Sequence, residues 1–228
     1  MDFKRTWQRL DSTAFVTWLL LGAAIIMFFV EVLSGGSQNI AVLEHYGAGV
    51  NGLIAQGQWW RLITPMFLHI GVMHIAVNGV MIYYVGTQLE RVFGHLRYFV
   101  IYMASGIIGN LCSFAFGSDN SISAGASTAL FGLFGAFIML GLSFQHNPFI
   151  QTMAKQFGVL VVINLVFDMF ATNIDIWGHI GGFVGGVLVA FALSVPRRFG
   201  QTSRLAQALA VIVVLLVSVG LYRAGLNG

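Results

Sequence analysis

Charge is what this sequence has least of. Only 8% of its 228 residues are Asp, Glu, Lys or Arg, against about 25% in soluble globular chains. With 57% hydrophobic residues, too little polar surface remains to coat a water-soluble domain of this size. The chain reads as an all-α polytopic membrane protein. Its 11 Lys and Arg form no basic patch, which excludes a nucleic-acid binder. Cysteine is nearly missing too. Cys112 stands alone in an apolar run, so an intrachain disulfide and a Cys-rich metal site are both excluded. Low-complexity tracts and a soluble domain are absent. No persuasive internal or inverted repeat is present, which counts against a transporter.

What is present is a series of apolar runs, each near the roughly 20 residues that a spanning helix needs. They predict seven spans, at roughly 13–33, 72–89, 98–117, 126–143, 156–171, 177–195 and 205–222. No formal charge occurs between Arg97 and Asp119, or between Asp175 and Arg197. The first span follows Lys4, Arg5 and Arg9 but is too long for a signal-peptide core and lacks an A-x-A site, so it reads as an uncleaved signal-anchor. With a cytoplasmic N-terminus, Lys4, Arg5, Arg9, Arg91, Arg97, Lys155, Arg197, Arg198 and Arg204 all fall on the cytoplasmic side. Only Arg61 and Arg223 fall outside. This positive-inside bias sets the expected orientation. Residues 34–71 are too many for a turn and too apolar for a free loop. With Trp59 and Trp60 suited to the membrane interface, the segment is expected to lie against the bundle with its backbone bonds satisfied internally.

Polar side chains within spans are costly, and they mark function by default. His74 and Asn78 are four apart on one face of the second helix, Ser127 begins the fourth, and His179 begins the sixth. With alternating helix directions, all lie about 3–10 Å below the external helix ends. Gly178, Gly182 and Gly186 form a small-xxx-small row on the sixth helix, with Gly181 and Gly185 beside it, and Gly125, Gly132 and Gly135 mark the fourth. Such rows let two backbones approach closely, as a Ser on one helix must to reach a His on another.

These motifs resemble, in order and spacing, the rhomboid intramembrane serine proteases. The similarity covers about residues 13–195. It runs through Trp60-Arg61, then His69-x4-His74-x3-Asn78, then the Glu90-containing stretch Gly86–Gly94, then Gly125-Ala126-Ser127, and last Gly178-His179-x2-Gly182-x3-Gly186. Each motif alone is weak; five in order are specific. The resemblance implies a six-helix catalytic core over 1–195. Residues 196–228 then hold a cytoplasmic linker and one extra C-terminal helix. It implies Ser127 as nucleophile and His179 as its base in a dyad without Asp. His74, Asn78 and backbone N–H groups at Ala126 and beside Ser127 would supply the oxyanion donors. Phe131, one turn after Ser127, would pack on the His179 ring. Thr128 stands where the family usually has Gly and adds bulk beside the reacting carbonyl.

Duller readings accompany these. Ser127 could simply cap a helix, and the histidines could make interhelical hydrogen bonds worth about 0.6–2 kcal/mol. Asp175, four residues before His179, reads as a helix cap; Arg61 and Glu90 read as structural. Asp168 and Asn164 carry no assignable chemistry beyond packing. A metal site from His69, His74 and His179 is the lesser reading, and no cofactor or metal is implied. The expected activity is endopeptidase cleavage of single-span membrane proteins, from a multi-pass position in the cell membrane with the site opening outward. The rival is a catalytically inactive rhomboid-like protein that binds membrane clients.

Overall fold

In hydrocarbon every backbone N–H and C=O must be paired, and an apolar run meets that demand as a helix. The computed structural model describes residues 13–118, 122–170, 174–195 and 202–227. Lys4, Arg5, Arg9, Arg197 and Arg198, which enter the charge argument, lie outside them. Among the described residues there are seven long helices: α1 (Phe15–Leu33), α2 (Val72–Phe93), α3 (His95–Phe116), α4 (Ser127–Ser143), α5 (Pro148–Asp168), α6 (Ile176–Leu193) and α7 (Arg204–Asn227). The fold is an all-α polytopic membrane bundle. Five of the seven are long and apolar enough to cross a bilayer by length and composition alone. The other two have visible reasons to fall short. α4 has only 17 residues, and α2 is diluted by His74, Asn78, Gln88, Glu90 and Arg91.

The boundaries differ from the apolar runs where caps decide them. α5 starts eight residues before the expected 156, because the Asn147 side chain accepts from the N–H groups of Phe149 and Ile150 and Pro148 takes the first turn. α2 and α3 extend to a shared joint at Gly94, whose φ of 81° ends one helix and begins the next. Glu90, near that joint, does more than pack. Its carboxylate accepts from the Val16 and Thr17 N–H groups at 2.9 and 2.8 Å and from the Thr17 hydroxyl at 2.6 Å. Two orphan donors of the first turn of α1 are thereby satisfied in a buried place.

α4 is the central helix, with thirteen of its residues buried, so a short helix suffices there. The two glycine pairs of α6 divide between neighbours. A Cβ at Gly182 or Gly186 would strike the backbone carbonyl of Thr128 or Gly132 on α4. One at Gly181 or Gly185 would strike Cys112 or Ile108 on α3. α6 is thus pressed into the angle between α3 and α4, as the glycine row anticipates. α7 lies at the edge with Ala210 its one buried residue, and Tyr222 packs on Phe114 of α3.

The 34–71 segment does lie against the bundle. It holds short helices at Ile40–His45 and Asn51–Ala55 and 3-10 turns at Trp59–Leu62 and Thr64–Phe67. Arg61 clamps it, donating from Nη1 to the carbonyls of Glu44 and Ala48 and from Nε to Gln58. Asn110 of α3 donates to the Leu62 carbonyl at 2.9 Å. Trp59 and Trp60 stay exposed, as interfacial residues should.

Candidate active site

The approach to Ser127 is fixed from the loop side. Gly49 and Ser123 exchange both backbone hydrogen bonds, and the Gly125 N–H donates to the Pro65 carbonyl at 2.9 Å. Gly125 has φ 140°, and a Cβ there would lie 2.8 Å from His74 Nε2 and 3.6 Å from Ser127 Oγ. Only glycine leaves room for the His74 ring beside the serine. Ser127 itself is half-buried. α4 begins without a side-chain cap on its N-terminus, so its first N–H groups lack an intrahelical partner next to Ser127. Ala126, the residue before, is fully buried.

His74 has a defined tautomer. Its Nδ1 accepts from the Ile70 N–H at 3.2 Å, so the neutral ring carries its proton on Nε2, an atom that lies against Gly125. Asn78, one turn further along α2, is buried on the same face. The buried His69 ring meets His74 edge-on at 5.3 Å. Among the described residues neither of its side-chain nitrogens has a hydrogen-bond partner, and its backbone N–H donates to the buried Glu31 carboxylate of α1. Burial, reinforced by His74 and offset in part by a loose contact with the Phe67 backbone, pulls the His69 pKa down to about 4.

His179 lies flat on Phe131, with ring centroids 4.2 Å apart and planes 12° apart. Phe131 is one turn from Ser127 on α4, so the ring contact places the imidazole over the serine's helix. Among the described residues Ser127 Oγ has no hydrogen-bond partner. Catalytic contacts are commonly long before substrate binds. Asp175 is a cap, as expected: it accepts from the Gly178 N–H at 2.8 Å and from the Ser123 hydroxyl at 3.3 Å.

Two acidic residues stand differently from the sequence reading. Asp168 does not merely pack. Its Oδ2 lies 2.6 Å from His179 Nδ1, with both side chains buried. The signal for it in the sequence is a lone carboxylate at the end of an apolar helix, weaker than that of Asp175, which stands four residues before His179. Glu31, the one acidic residue in the first span, was missed altogether. Asn164 donates back to the Leu160 carbonyl within its own helix, which accounts for it. Thr128 departs from expectation as well. Its side chain is buried between Gly109 of α3 and Gly178 of α6, which absorb its bulk. Among the described residues no group of three His, Cys, Asp or Glu side chains is placed to hold a metal ion.

A serine at an uncapped helix start, a histidine stacked on that helix and a second histidine presenting an N–H define a site able to run acyl-transfer chemistry. A family profile described as Rhomboid domain matches residues 56–196, which hold every one of these side chains. This chain belongs to the rhomboid family. It is 42% identical over 211 residues to Rhomboid protease GluP of Bacillus subtilis (strain 168), covering 92% of this chain and 40% of that one. It is 32% identical over 176 residues to YdcA of the same organism, covering 77% and 86%. To RHOMBOID-like protein 7 of Arabidopsis thaliana it is 37% identical over 163 residues, covering 70% and 51%. The chain thus spans less than half of GluP and about half of the plant relative, but most of YdcA.

Proposed function

We propose that this chain is an intramembrane serine endopeptidase that cuts single-span membrane proteins. The supporting observation is the flat stacking of His179 on Phe131, one turn from Ser127, with His74 Nε2 against Gly125. Ser127 Oγ attacks the scissile carbonyl while His179 Nε2 takes its proton, then returns it to the leaving amine. The His74 Nε2–H, Asn78 and the N–H groups at Ala126 and the start of α4 receive the oxyanion. Each such donor contributes about 3–4 kcal/mol in a dry site. Relatives named as proteases, GluP among them, favour an active enzyme over the client-binding reading. The retained Ser127 and His179 do the same. Residues 1–195 form the catalytic core, and 196–228 add a linker and the peripheral α7. The protein lies in the cell membrane with its N-terminus cytoplasmic and the site opening outward.

The test is purified protein mixed with a panel of single-span substrates. Cleavage by the wild type, lost in Ser127→Ala and in His179→Ala at unchanged expression, is the expected result. The double variant should be no worse than either single, since nucleophile and base act as a unit. Wild-type activity in Ser127→Ala would remove the serine-protease reading.

A further inference from the structure

A carboxylate at the C-terminal end of a helix is badly placed, because that end already carries partial negative charge. Asp168 is the last residue of α5, and it is buried as well. Such a position needs a compensating partner, and the structure provides one in His179 Nδ1, 2.6 Å away on α6. An ionised carboxylate can only accept, so with Asp168 ionised Nδ1 carries the proton of the neutral imidazole. The lone pair is then left on Nε2, the nitrogen that the serine needs.

We propose that Asp168 is the positioning residue of the Ser127–His179 dyad, acting through His179 Nδ1 without touching the reacting atoms. The inference rests on the protease reading and adds the group that fixes tautomer and ring plane. Three contacts then hold the imidazole: Phe131 against its face, Asp168 on Nδ1, and the α6 backbone. Asp175, the other acid near it, is engaged with the Gly178 N–H and the Ser123 hydroxyl. Among the described residues, His74 on α2 is a further ionisable group that interacts electrostatically with His179. In the acylation step the Oγ–C bond forms as the carbonyl π pair moves onto oxygen, and the serine proton passes to Nε2. The imidazolium then donates from Nδ1 to Asp168. Collapse breaks the C–N bond and returns the Nε2 proton to the amine. No proton is transferred to Asp168.

The experiment uses the full chain in detergent with a fluorogenic peptide carrying one membrane-spanning segment. Asp168→Asn keeps the shape but lets an amide N–H face Nδ1, which stabilises the wrong tautomer. Its kcat should fall more than tenfold, toward the roughly 10⁴-fold known for triads, with KM within about twofold. An interhelical tie alone would lower melting temperature and leave kcat within tenfold, which overturns the proposal. A second measurement needs no folded Asp168 variant. ¹⁵N spectra of histidine-labelled wild type, assigned with His179→Ala and taken where the ring is neutral, should show His179 protonated on Nδ1. Protonation on Nε2 overturns the proposal. If wild type cleaves nothing, or Ser127→Ala cleaves equally well, the protease reading fails; the tautomer measurement still judges Asp168 separately.

Discussion

Asp175 and Asp168 show how little distance along the chain says about partnership. Asp175 lies four residues before His179 yet caps α6, while Asp168 lies eleven before it and touches the ring. Asn caps a helix about as well as Asp. Asp175→Asn should therefore keep the melting temperature and retain cleavage within about tenfold, far from the roughly 10⁴-fold loss of a triad carboxylate. Parallel melting and rate measurements decide it, and a loss of the larger size in a folded variant contradicts the assignment. His69 supplies a pH prediction. An exposed His titrates near 6.5, and this one is held neutral down to about 4. In that window the unfolded chain binds the extra proton. The stability is therefore fully present above about pH 6.5 and is lost as pH falls toward 4. The amount is about 3 kcal/mol. Melting temperature should drop across that window, and His69→Phe, which fills the site without titrating, should flatten the drop. An unchanged pH profile in His69→Phe would show that the loss belongs to another group.

At the scale of elements, the α4–α6 contact joins packing to chemistry. A Cβ on Gly182 would strike the Thr128 carbonyl, one residue from Ser127, and backbone cannot swing aside. Overpacking costs about 1–3 kcal/mol, and a displacement of about 1 Å can slow a reaction 10²-fold. Gly182→Val should lower both melting temperature and cleavage rate. Gly186→Ala meets Gly132 one turn deeper and should mainly lower stability. Asn78→Ala should slow cleavage more than it destabilises. Melting and rate on the same preparations test all three; a Gly182→Val protein unchanged in both would mean that the helices do not meet there. Much of this was legible in the sequence because it repeats. Spans show as apolar runs, the glycine row at a spacing of four, and His74 and Asn78 as one helix face. What could not be read depends on where separate helices come to rest. Asp168 reaches His179, and Glu31 reaches the His69 backbone, across intervening chain whose path no periodicity records. The start of α5 was hidden differently, since Lys155 interrupts the apolar run that Asn147 and Pro148 begin.

At the scale of the whole molecule, direction in the membrane decides which compartment the site serves. Ser127 and His179 begin α4 and α6, so both lie at the same end of the bundle as the clamped 34–71 segment. The proposed orientation, drawn from the bias of the basic residues, puts that end outside. Reporter fusions after residue 200 should read as cytoplasmic, and those after residue 226 as external. The reverse pattern would turn the site to the cytoplasm and contradict the proposed orientation. The proposed protease activity would also need a partly unwound substrate, since a helix hides its carbonyls in its own hydrogen bonds. The helix that carries Ser127 lies at the centre of the bundle, with thirteen of its residues buried.

The central claim is that His179 activates Ser127, and covalent labelling tests it most directly. Intact wild-type protein and His179→Ala are treated with a fluorophosphonate, digested and weighed by mass spectrometry. The account predicts a phosphonylated peptide modified at Ser127 in the wild type and none in His179→Ala. Equal labelling of both proteins, or no adduct on Ser127 in a wild type that cleaves substrate, would contradict it.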